Sequence, residues 1–383
     1  IPASERYYFL EERYPKYGNL VPRDIATREI FEVCVNKELS VEKGRLCVYL
    51  DVTELAPAVQ KKLDGILEIY EKFQGVNPRT TPMKIFPAVH YSMGGLWVDY
   101  EKNLTTGGLV HGSPRNQHTN VPGIFAIGEA DYQYHGANRL GANSLLSCIF
   151  AGLITGPSIE TWLKNLPKGA ASDGKESLFE HAVTAHKRRD NELASNPGTE
   201  NPYKLHEELG DLMTRNVTVV RNNKDLAVTV AKIGEFEERY KGVSLVDKGG
   251  WTNQNLVFAR ALGEMIMIAK VITQGALQRN ECRGAHYKPE FEIPATDADE
   301  PVKLREQAVR WCKTFKKQME DWLKSTVASY TPSGPKISYE AVDTSLIPPR
   351  PRTYGLKGAE IIEEVWRDMT SPAKAVKEPL AVA

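Results

Sequence analysis

The stretch "HGANRLGANSL" (135–145) sets a single Arg, Arg139, and a single His, His135, among residues that are mostly Gly, Ala, Asn and Ser. Small residues let a backbone approach a ligand closely, and Gly reaches conformations closed to other residues. The guanidinium offers a bidentate fork suited to a carboxylate and stays charged at any working pH. A buried Arg needs an anion, so either a protein acid such as Glu129 or Asp131 pairs with Arg139, or a ligand anion does. His135 is a second donor or, as its setting favours, a loop residue.

Glu129 ends the short apolar run "IFAIG" (124–128), at the point where the chain must turn. It is either an ordinary solvated acid or, beyond the carboxyl end of a strand, an acceptor for the hydroxyls of a bound nucleotide or ribityl chain. On the other side of Arg139, Asn143 or Ser144 is a good N-cap for the helix "LLSCIFAGLITG", whose apolar character on all sides predicts burial. The N–H groups and partial positive charge at Ser144–Leu145 would seat an anion, and a plain helix–strand packing unit has the same spacing. His90, in "FPAVHYSMGGLWVD" (86–99), stands before the Gly94–Gly95 turn, where a side chain projects into a cleft or serves the structure. Arg23, in "NLVPRDIATREIF" (19–31), lies at a helix entrance marked by Pro22 and Asp24, a position that is usually a surface charge.

The elements around these residues divide the chain. "CVYLDVT" (47–53) reads as a strand and 54–73 as a helix; 91–157 is Gly-rich, with predicted strands "GGLWVDY" and "GIFAIGE" and the apolar helix running to Gly156. From about 158, long amphipathic helices are predicted at 174–194, 202–214, 224–241 and 252–280, then one more helix and a Pro-rich tail around "SLIPPRPRTYG". The 383 residues suit two or three domains. Lys plus Arg equals Asp plus Glu at 49 each, so no bulk charge attracts nucleic acid or an anionic membrane. Five scattered cysteines without a C-x-x-C pair argue against a disulfide framework, a zinc site or an iron–sulfur cluster, and fit a reducing compartment. His111 and His118, and His181 and His186, lack metal-site spacing, and no G-x-S-x-G or P-loop pattern occurs. The apolar stretch 145–156 is shorter than the roughly 18 to 20 residues that span a bilayer, so the chain is not expected to cross a membrane alone. It begins "IPASERYYFL", without Met, and reads as the middle of something longer.

Taken together, "VPRDIATREI" (21–30), "HYSMGG" (90–95), "GIFAIGEADYQYHGANRLGANSLL" (123–146) and "QRNECRGAHYKPEF" (278–291) resemble the flavoprotein subunits of succinate dehydrogenase and quinol:fumarate reductase over essentially the whole chain. The resemblance implies an α/β plus α fold. Part of a capping domain (1–90) and part of a Rossmann-like FAD-binding domain (91–157) would be followed by a helical bundle (158–299) and a small C-terminal domain (300–383). Residue by residue it makes Arg23 the proton-transferring group, His90 and Arg139 substrate-carboxylate ligands, and Glu129, Ser144 and Leu145 contacts to FAD. The implied reaction interconverts succinate and fumarate by hydride transfer to or from FAD. Electrons would pass to an iron–sulfur subunit and, through membrane anchor subunits, to quinone, placing the flavoprotein peripherally on the cytoplasmic face of the cell membrane.

Arg is a poor acid, with a pKa above about 12, so Arg23 would need a short-lived deprotonated state or a relay. L-aspartate oxidase shares the "GANR" loop and an Arg-Gly-x-His segment, and a non-catalytic assembly module is the reading from a different class. Nothing here matches the G-x-G-x-x-G that holds the FAD diphosphate, the His that carries FAD covalently, or the capping-domain His and Thr-Gly-Glu segment of the family. The 383-residue chain by itself is therefore expected to bind FAD weakly or not at all and to show no turnover.

Overall fold

The computed structural model describes residues 6–167, 175–353 and 355–371. Residues 1–5, where the opening stretch begins, and residue 174, the first of a predicted helix, lie outside them. Backbone contacts divide the chain into two compact units, residues 1–90 with 218–220, and residues 91–217 with 221–383.

In the first unit, Pro22 precedes α2 (Arg23–Phe31), as the sequence predicts, and a shorter helix α1 (Phe9–Arg13) lies before it. The buried carboxylate of Glu29 joins the two, accepting from Arg13 Nη1 at 2.9 Å and the Tyr14 hydroxyl at 3.0 Å. Strand β1 (Val48–Leu50) pairs antiparallel with β2 (Met83–Ile85) in the register Val48 to Ile85. The single helix expected over 54–73 forms as α3 (Pro57–Lys62) and α4 (Asp64–Gln74), because Leu63, at φ −101° and ψ 2°, leaves the helical region between them. Val52, Leu67 and Met83 close a small core beneath α4.

In the second unit, α5 (Asn143–Lys164) is longer than the sequence suggests. It passes through Pro157 and ends eight residues beyond Gly156, where the hydroxyls of Thr155, Ser158 and Thr161 return to carbonyls four residues back. At 22 residues it is, by length and composition alone, long and apolar enough to cross a membrane. The expectation of a run too short to do so does not hold, although core helices pass the same test. Nor is α5 buried on all sides. Its buried seam is Ser147, Ala151, Thr155 and Ser158, while Leu145, Leu146, Ile149 and Leu153 are exposed. Small residues at i, i+4 let neighbouring backbone come close, and the large apolar side chains face away from that contact.

The segments 94–100 and 123–129, expected as strands, make only isolated bridges, Leu96 with Asp131 and His118 with Phe125. An extended segment becomes a strand only beside a ladder, and among the described residues neither has one. The helical region follows the sequence closely, with α6 (Glu176–Ser195), α7 (Pro202–Met213), α8 (Asn223–Tyr240) and α9 (Gln254–Gln278). Asn201, Asn222 and Asn253 cap the last three, each accepting from a backbone N–H two or three residues on. Leu205, Leu209, Ile233, Phe236, Leu262 and Ile266 form their shared core. Beyond α10 (Pro301–Trp322), the tail read as irregular holds a hairpin, β3 (Lys324–Ser329) with β4 (Lys336–Ala341), and α11 (Ala359–Thr370), whose Ile362 and Val365 pack on Trp311 and Cys312 of α10.

Candidate functional site

Arg139, half-buried, lies in the loop that leads into α5, and its guanidinium is 5.2 Å from the centre of the Tyr91 ring. Its Nη1 donates to the carbonyl of Leu140 at 3.1 Å. The two acids expected as alternative partners are engaged elsewhere. Glu129 Oε1 accepts the Ser92 backbone N–H at 2.7 Å, and Asp131, 4% exposed, accepts from Gln117 Nε2 at 2.6 Å and the Gln133 N–H at 3.1 Å. Burial pushes the Asp131 carboxyl above the usual range against these hydrogen bonds. Among the described residues Arg139 has no ion pair. Its guanidinium thus rests on an aromatic face with no counter-charge among the described residues.

The two glycine motifs meet through backbone. A Cβ on Gly95 would stand 2.5 Å from the Ala130 carbonyl oxygen and 2.6 Å from that of Asp131. Next to it, the Leu96 N–H donates to the Ala130 carbonyl at 2.7 Å. Gly128, at φ +64°, opens the 3-10 turn Gly128–Ala130, and a Cβ there would lie 2.8 Å from Cys148 Sγ of α5. The glycines thus clamp residues 92–96, the Glu129 turn and α5 into one block.

His135 belongs to the same block, its Nε2 3.1 Å from the Tyr91 hydroxyl and 3.3 Å from Ser147 Oγ. Its ring meets that of Tyr91 edge to face at 5.1 Å. Burial, and then the nearby Arg139, hold the imidazole below its usual pKa. The loop role favoured for His135 matches this placement.

Ser144 and Leu145 lie in the first turn of α5, Ser144 half-buried and Leu145 73% exposed. Neither Asn143 nor Ser144 caps the helix, contrary to the sequence reading. The capping position is Ala142, left-handed at φ +65°, with no side-chain hydrogen bond to the helix start. The Asn143 N–H donates to the Leu140 carbonyl at 3.3 Å, so the turn itself starts the helix, and among the described residues the Ser144 and Leu145 N–H groups take no side-chain partner.

Arg23 and His90 belong to the first unit, and both are exposed. Arg23 is the first residue of α2, ahead of an Asp24–Arg28 pair at 3.7 Å. Glu129, Arg139, Ser144 and Leu145 belong to the second unit, within a single run of chain. Tyr91 and the backbone of Ser92 were not picked out from the sequence. The signal available was the position of Tyr91 beside His90 and ahead of a Gly–Gly pair that needs close backbone contact.

Comparison with known proteins gives this geometry a context. Residues 5–145 match a family model described as an FAD binding domain, and residues 206–354 one described as fumarate reductase flavoprotein C-term. The chain is 48% identical over 354 residues to the succinate dehydrogenase flavoprotein subunit of Bacillus subtilis (strain 168), covering 92% of this chain and 54% of that protein. To the fumarate reductase flavoprotein subunit of Escherichia coli (strain K12) it is 28% identical over 350 residues, with 90% and 51% covered. A solved E. coli quinol fumarate reductase superposes with a TM-score of 0.68 at 27% identity, over 89% of this chain and 52% of that one. A quinol-fumarate reductase solved with menaquinol molecules gives 0.69 at 26% identity, over 90% and 55%. The chain spans about half the length of the curated relatives it matches.

Proposed function

We propose, from the premise that this chain belongs to the family of succinate dehydrogenase and fumarate reductase flavoprotein subunits, that it carries the dicarboxylate-binding and flavin-facing part of an enzyme interconverting succinate and fumarate. The observation that carries the proposal is Arg139, half-buried on the Tyr91 ring, without an acid partner among the described residues and ahead of a helix start without a side-chain cap. Residues 1–90 are read as part of a capping domain and 91–157 as the C-terminal part of a Rossmann-like FAD-binding domain. Residues 158–299 are read as a helical domain and 300–383 as a C-terminal domain.

The residues present fit one side of FAD. The first turn of α5 presents N–H groups at Ser144 and Leu145, and Gly128 keeps the Glu129 turn close against that helix. Bound there, FAD would supply the two-electron acceptor or donor for hydride. Glu129 would accept hydrogen bonds from its hydroxyls, with Oε1 already oriented by the Ser92 N–H. Arg139 and His90 would hold the substrate carboxylates. Two anchored ends restrict rotation about the central carbons, turning binding energy into alignment. Arg23 would move the proton at the carbon next to the one exchanging hydride. Electrons would leave through an iron–sulfur subunit and membrane anchor subunits to quinone, with the flavoprotein peripheral at the cytoplasmic face.

Assay of the flavoprotein subunit containing this chain, at the length of its relatives, with succinate, fumarate and aspartate tests the proposal. Turnover of succinate and fumarate is expected. Turnover confined to aspartate plus oxygen would assign an L-aspartate oxidase-like enzyme instead.

A further inference from the structure

The motif "QRNECRGAHYKPEF" (278–291) has no part in the chemistry above, yet it reaches the Arg139 loop. Residues Arg283 and His286 form a tight turn, the Arg283 N–H donating to the His286 carbonyl at 2.9 Å and the His286 N–H to the Arg283 carbonyl at 3.0 Å. At its tip Gly284 adopts φ +57°, and a Cβ there would stand 2.4 Å from the Ala137 carbonyl oxygen. The Ala285 N–H donates to that same oxygen at 2.8 Å. Ala137 is two residues before Arg139.

The turn is itself held from beneath. Glu281, fully buried, accepts from Arg279 Nε at 2.6 Å and Arg283 Nε at 2.8 Å, one on each carboxylate oxygen. Arg279 continues to the carbonyls of Trp322 and Lys324 and the hydroxyl of Thr326. His286 Nε2 lies 2.8 Å from the Arg279 carbonyl, which can only accept, so that nitrogen carries the proton. Nδ1 then accepts from Arg221 Nη1 at 2.7 Å. The buried Lys288 ammonium donates to the carbonyls of Ala276, Leu277 and Arg279 at the end of α9. A network this completely partnered resists displacement.

We propose that the turn Arg283–His286 is a positioning element for Arg139: it fixes the backbone at Ala137 and so sets where the guanidinium meets a dicarboxylate. This rests on the substrate reading above. A displacement of about 1 Å at a binding group is enough to cost on the order of a hundredfold in rate, so the clamp matters although it touches no substrate.

The test uses the flavoprotein subunit containing this chain, loaded with FAD. G284A places a methyl against the Ala137 carbonyl. It should raise the Kd for malonate, read from the visible flavin spectrum, by about tenfold or more, with the succinate KM rising more than kcat falls. Hydrogen exchange of the amides across 135–141 should quicken in the same variant. I233A, in the shared core of α6 to α9 and outside the network that holds the turn, should lower the melting temperature and leave the malonate Kd at the wild-type value. Should G284A not fold, E281Q is read by the same two measurements and is expected to shift both in the same direction by less. Wild-type malonate affinity together with unchanged exchange across 135–141 overturns the proposal. If the wild-type protein itself ignores dicarboxylates, the substrate reading fails, and the exchange comparison still decides whether the turn positions the loop.

Discussion

At the scale of single residues, Arg139 stood out in the sequence because it is a lone cation among small side chains. What it rests on did not. Tyr91 reaches it only through the fold, and no local pattern marks a ring that serves as a platform for a distant guanidinium. The competing acids were legible as candidates, and the structure separates them, Glu129 by the Ser92 N–H and Asp131 by Gln117. Replacing Arg139 with Lys keeps the charge and loses the planar fork, so kcat/KM for succinate should fall by about a hundredfold or more. Steady-state kinetics on the subunit containing this chain check this. Arg23→Gln should behave differently. On its proposed role in proton transfer, its loss should lower kcat by about 10²- to 10⁴-fold, while malonate binding, read from the flavin spectrum, stays near the wild-type value.

Secondary structure elements were legible where periodicity and caps agree. The helices α6 to α9 lie within a few residues of their expected bounds because their amphipathic patterns are long, and in α7 to α9 an Asn cap, with a Pro start in α7, marks the same beginning. An apolar run carries no information on whether a partner lies beside it, so the strands expected around the site form only isolated bridges. The apolar stretch of α5 predicts burial all round, whereas only its small-residue seam is buried. Gly128, which packs against α5 at Cys148, is a sensitive position. A Cβ there meets Cys148 Sγ and φ is +64°, so Gly128→Ala should destabilise the chain by about 1–3 kcal/mol in urea unfolding. The Arg221–His286 contact adds a pH dependence. Burial, and then Arg221, hold the His286 imidazole at about 3, against 6.5 ordinarily. Between those values the unfolded chain binds a proton that the folded chain refuses, so stability present above about pH 6.5 is lost as pH falls toward 3. Unfolding midpoints at stepped pH should show a shallower slope in His286→Gln than in wild type across that window.

At the scale of the whole molecule, the family was legible because four motifs occur in one order, and the two matched domain models fall on either side of the α5 region. The arrangement of the C-terminal hairpin and α11 was not, since "KSTVAS" and "KISYEA" are short and polar with no residue buried, β3 resting on α9 and α11 on α10. Length has a consequence of its own. The chain spans about half of its curated relatives and lacks the glycine fingerprint for the FAD diphosphate. The 383-residue polypeptide alone should therefore retain little or no FAD through gel filtration. The most direct test of the central claim is succinate-dependent reduction of an artificial electron acceptor by the FAD-loaded subunit containing this chain, measured beside its Arg139→Lys variant. Turnover in the wild type that falls by about a hundredfold in the variant is predicted. Turnover that is equal in the two, or that appears only with aspartate and oxygen, would contradict it.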